Sequence, residues 1–205
     1  MTDGVDLYWI PLGAGTGGEL VRWSGRCYEA GAAALSRRRR QRLFHSALDV
    51  RIGGVTTVIE MTPVWITRGE RGVVGEGPVG LRGLGRWRVF RYEVRRWTGG
   101  SIPDVAEAIG GPVHLSDDTE VATRVLDLAP LVPLATWGRD ELGTGDMWNS
   151  NSVVSWLLSS AGIVLDLVGP PCDGRAPGWN AGLVAAHNRP ASPASPASPA
   201  TPFGA

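Results

Sequence analysis

The chain has 205 residues, 43% of them apolar and 20% charged, with 20 basic and 20 acidic residues that cancel to a net charge of zero. This is enough apolar material for one core of ordinary size, and nothing global points to nucleic acid or acidic membranes. Every basic residue apart from histidine is arginine, which excludes a Schiff-base lysine and a phosphate-binding loop of the GK[ST] type.

In chain order, VDLYWIPLG reads as a strand ending at Pro11 and Gly13, followed by the glycine-rich turn GAGTGG. Glu29 to Arg42 reads as a helix running into the basic cluster Arg37, Arg38, Arg39 and Arg40. Residues 43–52 and 55–62 are β-rich runs around Gly53-Gly54, a two-residue hairpin signal that sets Ile52 opposite Val55 and His45 opposite Thr62. Phe44, Leu48, Val50, Ile59 and Met61 then share an apolar face, while His45, Ala47, Asp49, Val58 and Glu60 share the other. His45 and Glu60 become diagonal neighbours within reach of each other.

The glycine-dense stretch 68–85 is expected to form a long loop, and Trp87 to Trp97 to form a strand. Ser116 is expected to cap a helix through Val121, Val125 and Leu128 that stops before Pro130. After the connector WGRDELGTGD comes a helix from Asn151 to Ala161, ended by Gly162, and APGWNAGLVAA reads as a final short strand. From Pro190 the sequence is a Pro/Ala/Ser repeat without a side chain large enough to pack, so residues 190–205 are expected to be a disordered, extended tail. The expected fold is α+β: one domain over residues 1–189, with an antiparallel β-sheet packed with helices.

The chemistry centres on WNSNSVVSWLL. Ser150 and Ser152 lie in the first turn of its helix, where unpaired backbone N–H groups and the helix field favour negative charge and can stabilise an oxyanion. The same residues also suit a plain helix cap, and the sequence leaves both readings open. The order strand-histidine, hairpin, strand, then Asn-Ser at a helix start resembles the circularly permuted papain-like superfamily. That group includes NlpC-like and lecithin–retinol acyltransferase-like proteins. Its helix begins N-C-x-x-F, and Asn151-Ser152-Val153-Val154 follows this except that serine replaces the nucleophilic cysteine; Ser155 holds the aromatic place and Trp156 comes one residue late. HSALDV is similar to the family's H-x-[GA]-[IL]-x-[VI] strand, and the resemblance spans roughly residues 43 to 160.

The resemblance implies a hydrolase or acyltransferase acting on an amide, ester or thioester. Ser152 would be the nucleophile and His45 the base. Glu60 would orient the imidazole, while Asn151 and helix N–H groups would polarise the carbonyl. A serine needs a general base and a built oxyanion hole, whereas a cysteine can be held as thiolate. A catalytically inactive relative that binds a peptide or acyl ligand would carry the same residues, so both are expectations.

A third reading comes from Gly13, Gly15 and Gly18, which match G-x-G-x-x-G after a strand; Pro11, the Ser24-Gly25 break and the following β-hairpin argue against a dinucleotide-binding βαβ unit. The run Arg37 to Arg42 fits either a phosphate contact or a solvated helix end. His45, His114 and His187 form no zinc spacing with Cys27 and Cys172, so neither metal nor cofactor is expected. The two cysteines read as free thiols, and the N-terminus lacks a basic segment or a long apolar run, so the expected location is cytoplasmic with no membrane span. The expected partner is a small peptide, amide or acyl compound, with no nucleic acid.

Overall fold

The hairpin at Gly53-Gly54 is the centre of the architecture. In this computed structural model, residues 2–13, 37, 39–64, 72–102 and 104–189 are described. Strand β2 (Phe44–Ile52) turns into β3 (Val55–Pro63) through Gly53 and Gly54 at φ 59° and 79°. Positive φ at both positions matches the twist of the flanking strands, which is why glycine occupies them. The ladder runs from Ile52↔Val55 to Leu48↔Ile59, the expected register. Beyond it β2 continues on the partner at its other side, where Ile10 of β1 (Gly4–Pro11) meets His45.

Three further strands complete a six-stranded antiparallel sheet: β4 (Val73–Pro78), β5 (Arg91–Thr98) and β6 (Val113–Ser116), in the order β4-β5-β3-β2-β1-β6. Helices α1 (Thr119–Leu128), α2 (Ser150–Ser160) and α3 (Trp179–His187) complete the α+β fold. Val5, Leu7 and Trp9 of β1, Phe44, Leu48 and Val50 of β2, and Ile59 and Met61 of β3 pack with Val125 of α1 and Leu157 of α2 in the main core. The alternate residues Ile10, Ala47 and Val58 form a second, small cluster with Ile102 on the opposite face. The pleat thus divides the hairpin as its alternation predicts. No helix among the described residues is long and apolar enough to cross a membrane.

Several expectations are corrected. The stretch 68–85 contains edge strand β4 instead of a continuous loop. Its glycines serve close approach: a Cβ on Gly77 would sit 2.3 Å from the Tyr92 ring, and one on Gly75 would sit 2.8 Å from Leu134. Arg88–Phe90 forms a 3-10 turn, so the strand expected from Trp87 starts at Arg91. Ser116 ends β6, and Asp118 caps α1 by accepting from the Glu120 and Val121 N–H groups.

The expected final strand is helix α3. Its alanines and glycine sit at helical spacing against α2, where a Cβ on Gly182 would lie 2.1 Å from the Ser152 carbonyl. Arg39 to Arg42, the described end of the helix expected over 29–42, has no helical structure. Residues 14–36, including Gly15, Gly18 and Cys27, lie outside the described residues, as do Arg38 and the tail 190–205.

Candidate functional site

The start of α2 is built almost entirely from short polar side chains, and all of them are buried. Asn149 is the N-cap: its Oδ1 accepts from the N–H groups of Asn151 and Ser152 at 2.9 and 3.4 Å. Ser152 returns the contact, its Oγ accepting from the Asn149 N–H at 3.0 Å, which completes a capping box. The Ser152 hydroxyl donates to the Gly178 carbonyl at 2.7 Å, with the Met147 carbonyl a longer alternative at 3.1 Å. Ser152 is 0% exposed. The residue expected as nucleophile thus commits its O–H and a lone pair to backbone groups.

Asn151 is equally committed. Its Nδ2 donates to the carbonyls of Phe44 and Pro177, both at 2.9 Å, and its Oδ1 accepts from Ser46 Oγ at 2.9 Å. These bonds fasten the helix start to the head of β2. Asn149 Nδ2 donates to the Pro177 carbonyl at 2.8 Å, and Ser155 Oγ donates to the Trp179 carbonyl at 2.7 Å. Asp146 accepts from the Gly178 N–H at 2.7 Å. Gly178 sits at φ 85°, and a Cβ there would lie 2.5 Å from Asn149 Oδ1, so glycine is needed on both counts. The segment 177–179 therefore lies directly over the helix start.

His45 and Glu60 share a sheet face, as the register requires, but it is the face opposite α2. Ser46 reaches the helix with its side chain from the same face of β2 as Phe44 and Leu48, so its neighbour His45 points away from it. Burial alone pushes the His45 imidazole down to about 4, which leaves it neutral at pH 7. Glu60 lies 3.8 Å from Arg95 Nη1, and Arg95, 1% exposed, is also paired with Glu93. The structure brings His45 and Glu60 to one face and joins Asn151 to the strand carrying His45. It does not bring the Ser152 hydroxyl to the imidazole.

Further along that face, Arg51 and His114 both contact Asp6. Burial would raise the Asp6 carboxyl, but the hydrogen bonds and electrostatic attraction of Arg51 and His114 together outweigh it and hold the group below the usual carboxylate range. Burial raises Asp49 instead, against a hydrogen bond from Tyr8 that lowers it.

An open recess of about 290 Å³ lies at the far edge of the sheet, lined by Glu76, Gly77, Pro78, Arg82, Gly85 and Arg91. Arg91 is held by Glu76 at 3.1 Å and by the Gly85 carbonyl, while the exposed Arg82 lines the recess beside this pair. Sequence reasoning passed over this edge because its glycines read as loop. The available signal was RGLGRWRVFR, a run of arginines and apolar residues with no acid. No protein-family model, no curated protein and no solved structure matches the chain.

Proposed function

We propose that this chain is a non-catalytic binding protein of permuted papain-like plan that takes a peptide or acyl ligand with an anionic end. The plan is supported by the order of histidine strand, hairpin, strand and Asn-Ser helix, and by Asn151 joining that helix to the histidine strand. The single observation that carries the non-catalytic reading is the commitment of Ser152, fully buried with its O–H donating to the Gly178 carbonyl. A hydroxyl so placed has no base to receive its proton and no approach for a carbonyl carbon. The recess at Arg82 supports the ligand class. It lies at the small end of the range for ligand pockets and offers a guanidinium beside the apolar surface of Pro78.

Two measurements test this. With Cys27 and Cys172 replaced by serine, a Ser152→Cys thiol should react with iodoacetamide only on unfolding; labelling of the folded protein faster than a free thiol would overturn the reading. An N-octanoyl amino acid, titrated calorimetrically into the full chain, should bind, and Arg82→Gln should weaken it by about tenfold or more, the loss expected for a charged hydrogen bond. Binding indifferent to Arg82 would refute the assigned recess.

One observation favours a second reading, a hydrolase or acyltransferase with Ser152 as nucleophile, His45 as base, Glu60 as orienter and Asn151 as carbonyl polariser. The His45 imidazole is unprotonated at neutral pH, as a base must be, and its strand is bonded to the Ser152 helix. That chemistry requires segment 177–179 to withdraw and the two side chains to meet. Covalent labelling of Ser152 by a fluorophosphonate, lost in His45→Ala, would establish it.

A further inference from the structure

Between β4 and β5 the chain exposes an unusual run. Leu81, Trp87, Val89 and Phe90 are 54%, 46%, 55% and 38% exposed, and they alternate with the exposed Arg82, Arg86 and Arg88. No carboxylate occurs from Gly77 to Tyr92; Arg91 is paired with Glu76 and Arg82 lies within electrostatic reach of Glu141, so the positive charge of the patch rests on Arg86 and Arg88. The run is also preformed. The N–H groups of Leu84, Trp87 and Phe90 donate to the carbonyls of Leu81, Leu84 and Trp87 at 2.9 to 3.0 Å. The Gly80 N–H donates to the Trp137 carbonyl at 3.0 Å, and Arg139 Nε donates back to the Gly80 carbonyl at 2.6 Å. Large apolar side chains are thus held in water by a fixed backbone, an arrangement that marks an interaction surface.

We propose that this edge docks the protein onto an anionic phospholipid surface, with Trp87 and Phe90 at the headgroup–acyl boundary and Arg86 and Arg88 on lipid phosphates. Charge complementarity selects the occupant, and the shape of the aromatics narrows it further. The Arg86 guanidinium covers one face of Trp87 at 4.0 Å, and Phe90 stands at 58° to that ring with centroids 6.3 Å apart. Neither ring offers the open, parallel platform on which nucleic-acid bases stack. Leu81 and Val89 add aliphatic surface, which suits acyl chains better than bases. Tryptophan and arginine are the side chains that sit stably at this depth, with apolar bodies down and polar ends in the headgroups. Docking here requires neither the hydroxyl of Ser152 nor a ligand on Arg82.

The test is co-sedimentation of the full chain with phosphatidylcholine vesicles and with equimolar phosphatidylcholine/phosphatidylglycerol vesicles. Partition into the anionic vesicles should exceed that into the neutral ones by about tenfold or more and fall with added salt. The pair Arg86→Gln and Arg88→Gln should lower it by about 25-fold, roughly fivefold per arginine. Brominated acyl chains should quench tryptophan fluorescence in the bound protein, and Trp87→Phe should remove most of that quenching. The replaced side chains are all exposed, and the comparison of lipids and the quenching by wild type require no variant.

Equal partition into both lipids, no sedimentation, or tight binding to oligouridine with none to vesicles would each overturn the proposal. Loss of vesicle binding in the Arg86→Gln and Arg88→Gln pair with N-octanoyl amino acid binding intact would separate this surface from the recess, which neither residue lines.

Discussion

Replacing Ser152 by alanine tests whether its hydroxyl is a structural cap or a reserve of chemistry. The change deletes one oxygen from a site that is 0% exposed and strands two backbone groups, the Gly178 carbonyl at 2.7 Å and the Asn149 N–H at 3.0 Å. A buried polar group left without a partner costs about 1–3 kcal/mol. Relaxation is limited, because Gly178 is fixed by Asp146 and Asn149 still caps the helix through Oδ1. The expected loss is therefore about 2–4 kcal/mol, a large part of the roughly 5–15 kcal/mol that holds a typical domain folded. Urea unfolding followed by tryptophan fluorescence should show a lower midpoint with an unchanged slope. Ser160, on the same helix, is the control: its Oγ is buried with no hydrogen-bond partner among the described residues, so Ser160→Ala should be neutral or slightly stabilising. A Ser152→Ala loss below about 0.5 kcal/mol, the range of surface substitutions, would refute the capping argument and return the hydroxyl to chemistry.

Gly182→Ala should destabilise by about 2 kcal/mol although alanine is the better helix former. The new Cβ would lie 2.1 Å from both the Ser152 carbonyl and Ser155 Oγ, forcing α3 away from α2. A thermal midpoint lowered by about 4–8 °C would show it, and a raised midpoint would contradict the close approach of the two helices. His45 makes stability depend on pH. Its folded value of about 4 lies below the ordinary 6.5, so the unfolded chain takes up the proton first as pH falls. Its contribution is intact above about pH 6.5 and is lost progressively down to about pH 4, by an amount on the order of 3 kcal/mol. The raised Asp49 acts in the opposite direction over part of that window. Chemical denaturation from pH 7 to pH 4 should therefore be flatter for His45→Gln than for wild type, and identical slopes would refute the lowered imidazole.

The parts of the fold legible in the sequence are those set by short-range pattern. Gly53-Gly54 fixed a turn type, the turn type fixed the register, and the register divided His45, Ala47 and Glu60 from Phe44, Leu48 and Ile59. The α2 boundaries followed from Asn149 to Asn151 and from Gly162. Where glycine serves a neighbour instead of a turn, the same reading failed. Gly75 and Gly77 make room for Leu134 and Tyr92, and Gly182 makes room for α2, so a loop was read over β4 and a strand over α3. Local composition does not distinguish a glycine that bends the chain from one that lets another element approach.

The candidate site divides along the same line. The pairing of His45 and Glu60 on one face is a consequence of alternation along two adjacent strands and was therefore legible. Which face α2 covers is decided by its packing, through Asn151 on the Phe44 carbonyl and Ser46. What the Ser152 hydroxyl does is decided by Gly178, 26 residues away, whose carbonyl accepts a hydrogen bond from the O–H that a nucleophile would have to present to a base. A motif specifies residue types at a helix start and is silent about what lies over them. Here the cover is backbone, fixed at Pro177 and Gly178 by Asn149, Asn151, Ser152 and Asp146. Among the described residues the charged edge at Arg82 to Phe90 carries no such cover, and its arginines and aromatic residues are exposed on a backbone already in place. Preorganised and uncovered, that edge meets the physical requirements of a binding surface, whereas the helix start has the order of a structural core.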